Sequence, residues 1–221
     1  MHVIKTSFHG NPNVGLYVFC TDKYALVGSE VPQHLYHDLE KVLKLKVHRI
    51  SIAGTPLIGI FLAGNKNCVL VPSIAFEREL EVLDKLKIRY KILETNLTCL
   101  GNNILCNDKF ALASPDFSQA EIAFIKKSLK VDVEQKEIAG ISTPGSIAVM
   151  NSKGCLLHHM ASEHDFSYFQ KKFQVTTEEG SVNMGSPYVK SGIIANDHGF
   201  VAGDQSGGPE LVHIENVLGF N

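Results

Sequence analysis

The groups in this chain with the widest reach in covalent chemistry are its five thiols, Cys20, Cys68, Cys99, Cys106 and Cys155. A cysteine nucleophile needs a neighbour that lowers its pKa and a cleft that admits a substrate. All five lie in or beside apolar segments, the setting of a buried free thiol, and an odd number suits a reducing compartment better than a disulfide framework. The pair His34 and His37 and the neighbours His158 and His159 are imidazoles close enough to suggest a metal, but no CxxC or HExxH accompanies them. The first pair reads as a solvated helix face and the second as a strand end. Gly203-Asp204-Gln205-Ser206-Gly207-Gly208 resembles a serine-nucleophile loop, yet the inserted Gln205 shifts the serine from its oxyanion donors. It reads as a flexible turn before a helix starting at Pro209. No glycine-rich loop ending in Lys-Ser/Thr is present to cradle a nucleotide. No cofactor or metal is expected, and binding is a better reading than catalysis.

The elements that would position these groups repeat. Five polar turns, each followed by an apolar strand, begin at Thr21, Asn65, Asn107, Asn151 and Asn196, with spacings of 44, 42, 44 and 45 residues. Gly15, Gly59, Gly101 and Gly145 each stand six residues before a turn. The fifth unit has Lys190 at that place, and Gly192 two residues on. These glycines are expected where the chain turns sharply or needs a positive φ. Strand, polar turn and strand predict a hairpin. An amphipathic stretch follows each hairpin, as in Leu35, Leu39, Val42 and Leu43, or Ile122, Ile125 and Leu129. Ser118 with Glu121 forms a capping box, and Pro32 and Pro209 stand at helix starts. The other helices are expected within 77–86, 164–173 and 210–218. Closing strands are expected over 47–53, 88–93, 131–138 and 175–183.

The fifth unit ends at Asn221 without a closing strand, while the strand-like segment His2 to Phe8 has no unit of its own. Joining the two closes a ring and removes the capping problem of an open solenoid. The expected architecture is therefore α/β: one domain over 1–221 made of five ββαβ-type units around a pseudo-fivefold axis. The units run over about 15–58, 59–100, 101–144, 145–188 and 189–221, the last completed by 1–14. No apolar run reaches the roughly 18 residues that cross a bilayer, and the first residues do not read as a secretory leader, so a cytoplasmic monomer is expected. The formal net charge of −2 points away from naked nucleic acid and toward a basic protein partner.

Several stretches go further than the pattern. Ser51-Ile52-Ala53-Gly54, Val69-Leu70-Val71-Pro72, 95–103, Cys106-Asn107-Asp108, 182–186, Gly192-Ile193-Ile194-Ala195-Asn196 and Gly208-Pro209-Glu210-Leu211 are similar to the translation initiation factor 6 family. The five-unit ring resembles the pentein fold. The likeness covers essentially the whole chain. The ending soon after the fifth helix is similar to archaeal members, and Gln205-Ser206-Gly207 departs from the pair of threonines more usual there. The resemblance implies a factor that binds the joining face of the large ribosomal subunit and holds off the small one. It implies a role in large-subunit maturation and a contact with a basic ribosomal protein near the sarcin–ricin RNA loop. The same ring also carries guanidine-modifying enzymes, amidinotransferases and deiminases, whose nucleophilic cysteine lies late in the chain. Here the fifth unit has no cysteine.

Pseudo-symmetry puts the glycines at one end of the ring and the Asn/Asp turns at the other, so each end is a candidate partner surface assembled from five loops. The resemblance selects the glycine end. By matching position the ribosome-binding candidates are Leu16, Ile60, Asn102, Asn103, Ser146 and Ile147, with Tyr188 and Val189 from the fifth unit. Gly15, Gly59, Gly101, Gly145 and Gly192 are the structural glycines. Asn102 and Asn103 are polar where a core strand would want apolar residues. Leu16, Ile60 and Ile147 serve equally well as core.

Overall fold

A computed structural model describes residues 2–221. Five three-stranded sheets surround an axis, and each is built the same way. In the first, Val18–Cys20 and Tyr24–Val27 form an antiparallel hairpin. The chain then crosses over through the helix Tyr36–Leu43, and Lys46–Arg49 pairs parallel to the second strand. A parallel neighbour cannot follow a two-residue turn, which is why a helix must intervene. The later hairpins are Ala63–Asn65 with Cys68–Pro72, Ile104–Cys106 with Phe110–Ala113, Ala148–Met150 with Gly154–His158, and Ile193–Ala195 with Phe200–Gly203. Their helices are Glu77–Lys85, Gln119–Leu129, Glu163–Phe173 and Gly208–Val217. The fifth sheet takes its parallel strand from the N-terminus: Val3–Thr6 runs beside Phe200–Gly203, with Val3 opposite Phe200 and Thr6 opposite Gly203. The ring closes as the sequence predicts.

The core is five clusters, each packing one crossover helix against strands of its own sheet and of the preceding unit's sheet. Leu39, Val42 and Leu43 are fully buried on the first helix, as are Ile125 and Leu129 on the third. Ser118 accepts from the Glu121 N–H while Glu121 accepts from that of Ser118, completing the expected capping box. Ser162 and Asp165 repeat it in the fourth unit.

Two expectations need correction. Three of the third strands stop earlier than the apolar pattern suggests, at Arg49, Gln135 and Gly180, while the second unit's ends at Leu93 as expected but begins at Tyr90. Beyond those three the chain folds into a tight turn instead. Ile52 bridges Thr55, Ile138 bridges Ile141 and Val182 bridges Ser186, through left-handed residues such as Ala53, Gly54, Ala139 and Gly140. Nor do Gly15, Gly59, Gly101 and Gly145 adopt a positive φ. They lie in short helical turns, Val14–Leu16, Ile58–Phe61, Leu100–Asn103 and Pro144–Ser146, that lead into each hairpin. What requires glycine there is proximity.

Strand directions fix the polarity of the ring. The second strand of each hairpin returns to the glycine end, so each crossover helix starts there and finishes at the turn end.

Candidate functional site

At the glycine end the five lead-in turns meet backbone to backbone. A Cβ on Gly59 would lie 2.0 Å from the Gly15 carbonyl oxygen, one on Gly101 2.2 Å from that of Gly59, and one on Gly145 2.1 Å from that of Gly101. On Gly15 it would lie 1.9 Å from the Lys190 carbonyl oxygen. Lys190 therefore holds the fifth place in this ring. Gly192 does not; it packs instead on Val182 and Asn183.

The residues just past the ring, Leu16, Ile60, Asn102 and Ser146, are half-buried and share the rim of this end. By symmetry the fifth is Ser191, just past Lys190, where the sequence reading took Tyr188 and Val189 instead. Asn103, Ile147 and Val189 do not belong to the surface. Ile147 and Val189 are fully buried, and Asn103 is nearly so, its amide donating to the Cys99 carbonyl at 2.9 Å. These lead-in turns are helical, so adjacent residues point to opposite sides. Tyr188 is 47% exposed and sits edge-on to the His158 ring, 5.6 Å between centroids.

The same end carries apolar residues the sequence reading passed over: Ile74, Phe76, Met160 and Met184, all exposed. Each stands just beyond a second or third strand, where the repeat predicts a polar loop, and that mismatch was the available signal. Around them lie exposed carboxylates at helix starts and strand ends, among them Glu77, Glu94, Asp116, Glu137, Glu163 and Asp204. Other acids of this end are spent internally. The Glu79 carboxylate accepts from the Ser51 hydroxyl and the N–H groups of Ala53, Gly54 and Phe76. Glu210 does the same for Ser181, Met184, Gly185 and Gly207. Burial alone would raise both carboxyls, but these donors outweigh it and hold them below their ordinary value. Ser206 is buried and bonded to Asn183, so the Gly203–Gly208 loop is pinned where a flexible turn was expected.

The turn end is built differently. Each turn asparagine folds its oxygen onto N–H groups two or three residues ahead and sends its amide across to the next unit. Asn65 reaches the carbonyls of Asn107 and Leu129, Asn107 that of Phe173, Asn151 that of Leu218, and Asn196 that of Leu43. Apart from that of Asn107, which lies in the next hairpin turn, these carbonyls are at helix C-termini and have no intrahelical partner. All Lys and Arg residues except Lys5, Arg49, Arg78, Lys136 and Lys190 fall in this half of the ring. The net charge of −2 thus averages an acidic face and a basic one.

Two pockets lie along the axis, the smaller one walled at the glycine end by Gly101, Gly145 and Lys190. A cavity of about 280 Å³ opens at the turn end and is walled by Cys20, Gly64, Cys106, Met150 and Ala195, one from each unit. Burial pushes the Cys20 and Cys106 thiols up to about 12 and also raises Cys155, so each stays a thiol at neutral pH. Burial likewise lowers Lys190, which lies beside Cys20 and Cys106. His34 is exposed in the short helical turn Gln33–Leu35 and His37 on the first helix that follows; His158 ends a strand and stacks on His159. Among the described residues no group of three His, Cys, Asp or Glu is placed to hold a metal, and no helix is long and apolar enough to cross a membrane.

Comparison with known proteins decides the family. The profile of the eIF-6 family matches residues 3–217. The chain belongs to that family. Translation initiation factor 6 of Thermococcus onnurineus is 36% identical over 226 residues, covering 100% of this chain and 99% of the relative. That of Pyrococcus abyssi is 36% identical over 225 residues, 99% of each. The Saccharolobus islandicus protein is 34% identical over 222 residues, 99% of this chain and 100% of its own. These eIF-6 relatives are archaeal and are named as translation factors. Among solved structures, DDAH from Pseudomonas aeruginosa, a cysteine-to-serine mutant complexed with citrulline, superposes with a TM-score of 0.52 at 11% identity. It covers 76% of this chain and 68% of its own, and it establishes the pentein-type fold alone.

Proposed function

We propose that this protein is a non-catalytic steric factor. It docks through its glycine end on the joining face of the large ribosomal subunit and keeps the small subunit from associating prematurely. The observation that carries this is the composition of that end. Ile74, Phe76, Met160, Met184 and Tyr188 stand exposed there among carboxylates, around the rim of Leu16, Ile60, Asn102 and Ser146. Apolar anchors within an acidic field suit a basic ribosomal protein, the anchors supplying affinity and the charge steering the encounter. A basic ribosomal protein beside the sarcin–ricin loop is the partner that the family resemblance implies. Large-subunit maturation follows from the same docking, on a factor acting as a cytoplasmic monomer. The enzyme reading, a guanidine-modifying activity like that of other rings of this fold, lacks a poised nucleophile. The two cavity thiols are pushed up by burial and have no imidazole beside them to take a proton.

Sedimentation of archaeal ribosomal subunits with the protein tests this. Co-migration with the large subunit and a fall in joined ribosomes are expected, both lost with Asn102→Arg. Co-migration untouched by Asn102→Arg would move the surface elsewhere. Absence of large-subunit binding at low salt, or turnover of arginine coupled to labelling of one cysteine, would overturn the proposal.

A further inference from the structure

Three crossover helices end on lysine where local backbone physics favours glycine. Lys44, Lys87 and Lys130 follow the helices of units one, two and three with φ of 52°, 57° and 57°, all left-handed. The matching residue of unit five is Gly219, at φ 69°. A side chain in this conformation crowds its own carbonyl oxygen, and glycine avoids that penalty. Compensation for the helix dipole does not account for the lysines, since Lys41, Lys85, Lys126 and Lys127 already occupy the last turns. The three left-handed lysines are exposed, and none enters an ion pair among the described residues. Two of them border shallow basic depressions. Lys44 lines one with Lys23, Lys41 and Lys46, where Glu40 pairs with Lys46, and Lys130 lines the other with Lys109, Lys126 and Lys127, where Asp132 pairs with Lys126.

We propose that the turn end is a second docking surface, which takes the phosphate backbone of RNA. The other polyanion to weigh is an acidic protein, and the turn end lacks what would hold one. The exposed large apolar residues among those described are Ile74, Phe76, Ile92, Met160, Met184, Tyr188 and Val212, and none lies in a hairpin turn or at a helix C-terminus. Protein interfaces draw their affinity from such anchors, whereas a phosphodiester backbone needs only cations along its path. Lysines on flexible stems, arranged in depressions one or more units apart, meet that need. This surface is opposite the glycine end, so it stays free when the glycine end is docked, and its binding is measurable on the protein alone.

The test is fluorescence anisotropy of a labelled mixed-sequence single-stranded RNA across a salt series. It compares the wild type with the triple variant Lys44→Gly, Lys87→Gly, Lys130→Gly, with a thermal melt of each. Binding at low salt is expected, with log K falling as log salt rises. The slope should be shallower by about 2 in the triple variant, since each single-strand phosphate left without its lysine removes roughly 0.7. The variant's Tm should equal or exceed the wild type's, because glycine fits these positions. A lower Tm would mean the lysines serve the fold, and it would overturn the proposal. So would no RNA binding at about 50 mM salt, an unchanged slope, or polyglutamate displacing RNA at equal charge. A second variant, Lys41→Gln with Lys127→Gln, leaves the left-handed positions intact and should lower the slope by about 1.

Discussion

Replacing Asn196 by alanine tests whether the turn asparagines hold the ring shut. Asn196 lies at the seam where unit five meets unit one and is 4% exposed. Its amide donates to the Leu43 carbonyl at 2.8 Å and more weakly to that of Thr21 at 3.4 Å. Its oxygen accepts from the His198 and Gly199 N–H groups at 2.9 and 3.2 Å. Three sound hydrogen bonds at about 1 kcal/mol net each give about 3 kcal/mol, and water at the cavity mouth recovers part of it. A loss of about 2–3 kcal/mol is expected. With an m-value near about 3 kcal/mol per molar urea, that lowers the unfolding midpoint by about 1 M with m unchanged. Asn196→Asp keeps the acceptor but turns a buried carboxylate oxygen onto the Leu43 carbonyl oxygen, so it should lose at least as much. Unit one supplies the converse. Thr21 folds its hydroxyl onto the Lys23 and Tyr24 N–H groups but has no amide to send across. Thr21→Asn should reach the Leu86 carbonyl and gain about 1 kcal/mol. A loss below about 1 kcal/mol in Asn196→Ala would refute the cross-seam argument, as would Asn196→Asp matching wild type.

Three further outcomes are expected. Gly101→Ala forces a Cβ to 2.2 Å from the Gly59 carbonyl oxygen and 2.7 Å from that of Leu62, so it should cost about 3 kcal/mol or more in urea unfolding. Glu79→Gln should cost about 2 kcal/mol at neutral pH. Because donors hold the Glu79 carboxyl below its ordinary 4.5, its stabilisation is present above that value and lost as pH falls through the depressed one, so the variant's midpoint should decline less on acidification. Lys190→Gly removes a cation that burial disfavours and restores the ring glycine, so it should stabilise by on the order of 1 kcal/mol near neutral pH. Since burial lowers Lys190, that gain should shrink as pH rises through its depressed value, which urea midpoints at neutral and alkaline pH would show.

The period of the turns made the ring, its five units and its closure legible, because a repeated unit must put a repeated residue wherever the backbone makes a repeated demand. The nature of the demand was less legible. Glycine before a hairpin fits a turn and fits a close approach equally well, and only the carbonyl of the neighbouring unit separates them. The turn asparagines looked like hairpin residues alone, since their cross-seam helix partners lie 64 to 67 positions away in the chain, and 153 for Asn196 at the closing seam. Burial at the glycine end failed for a related reason. Ser146 ends a helical lead-in turn at the rim and the next residue, Ile147, is in the core, a phase that residue type alone did not reveal. The opposed charge of the two ends was hidden in a net value near zero.

Fivefold repetition also limits what a ring can recognise, because five identical faces offer a partner no preferred register. The positions fixed by the seams, the ring glycines and the turn asparagines, cannot vary without cost. The position just past each ring glycine is different: its backbone is held by the same contacts in every unit, yet its side chain touches the rim. There the chain places Leu16, Ile60, Asn102, Ser146 and Ser191, and the exposed apolar residues gather in units two, four and five alone. The turn end breaks symmetry the other way, with lysine at the left-handed position in three units, glutamine in the fourth and glycine in the fifth. Each face is thus uneven around the axis while the scaffold beneath it is regular. A partner reading either face can therefore bind in one rotational setting, which a steric block needs if its bulk is to fall on one side of the docking site.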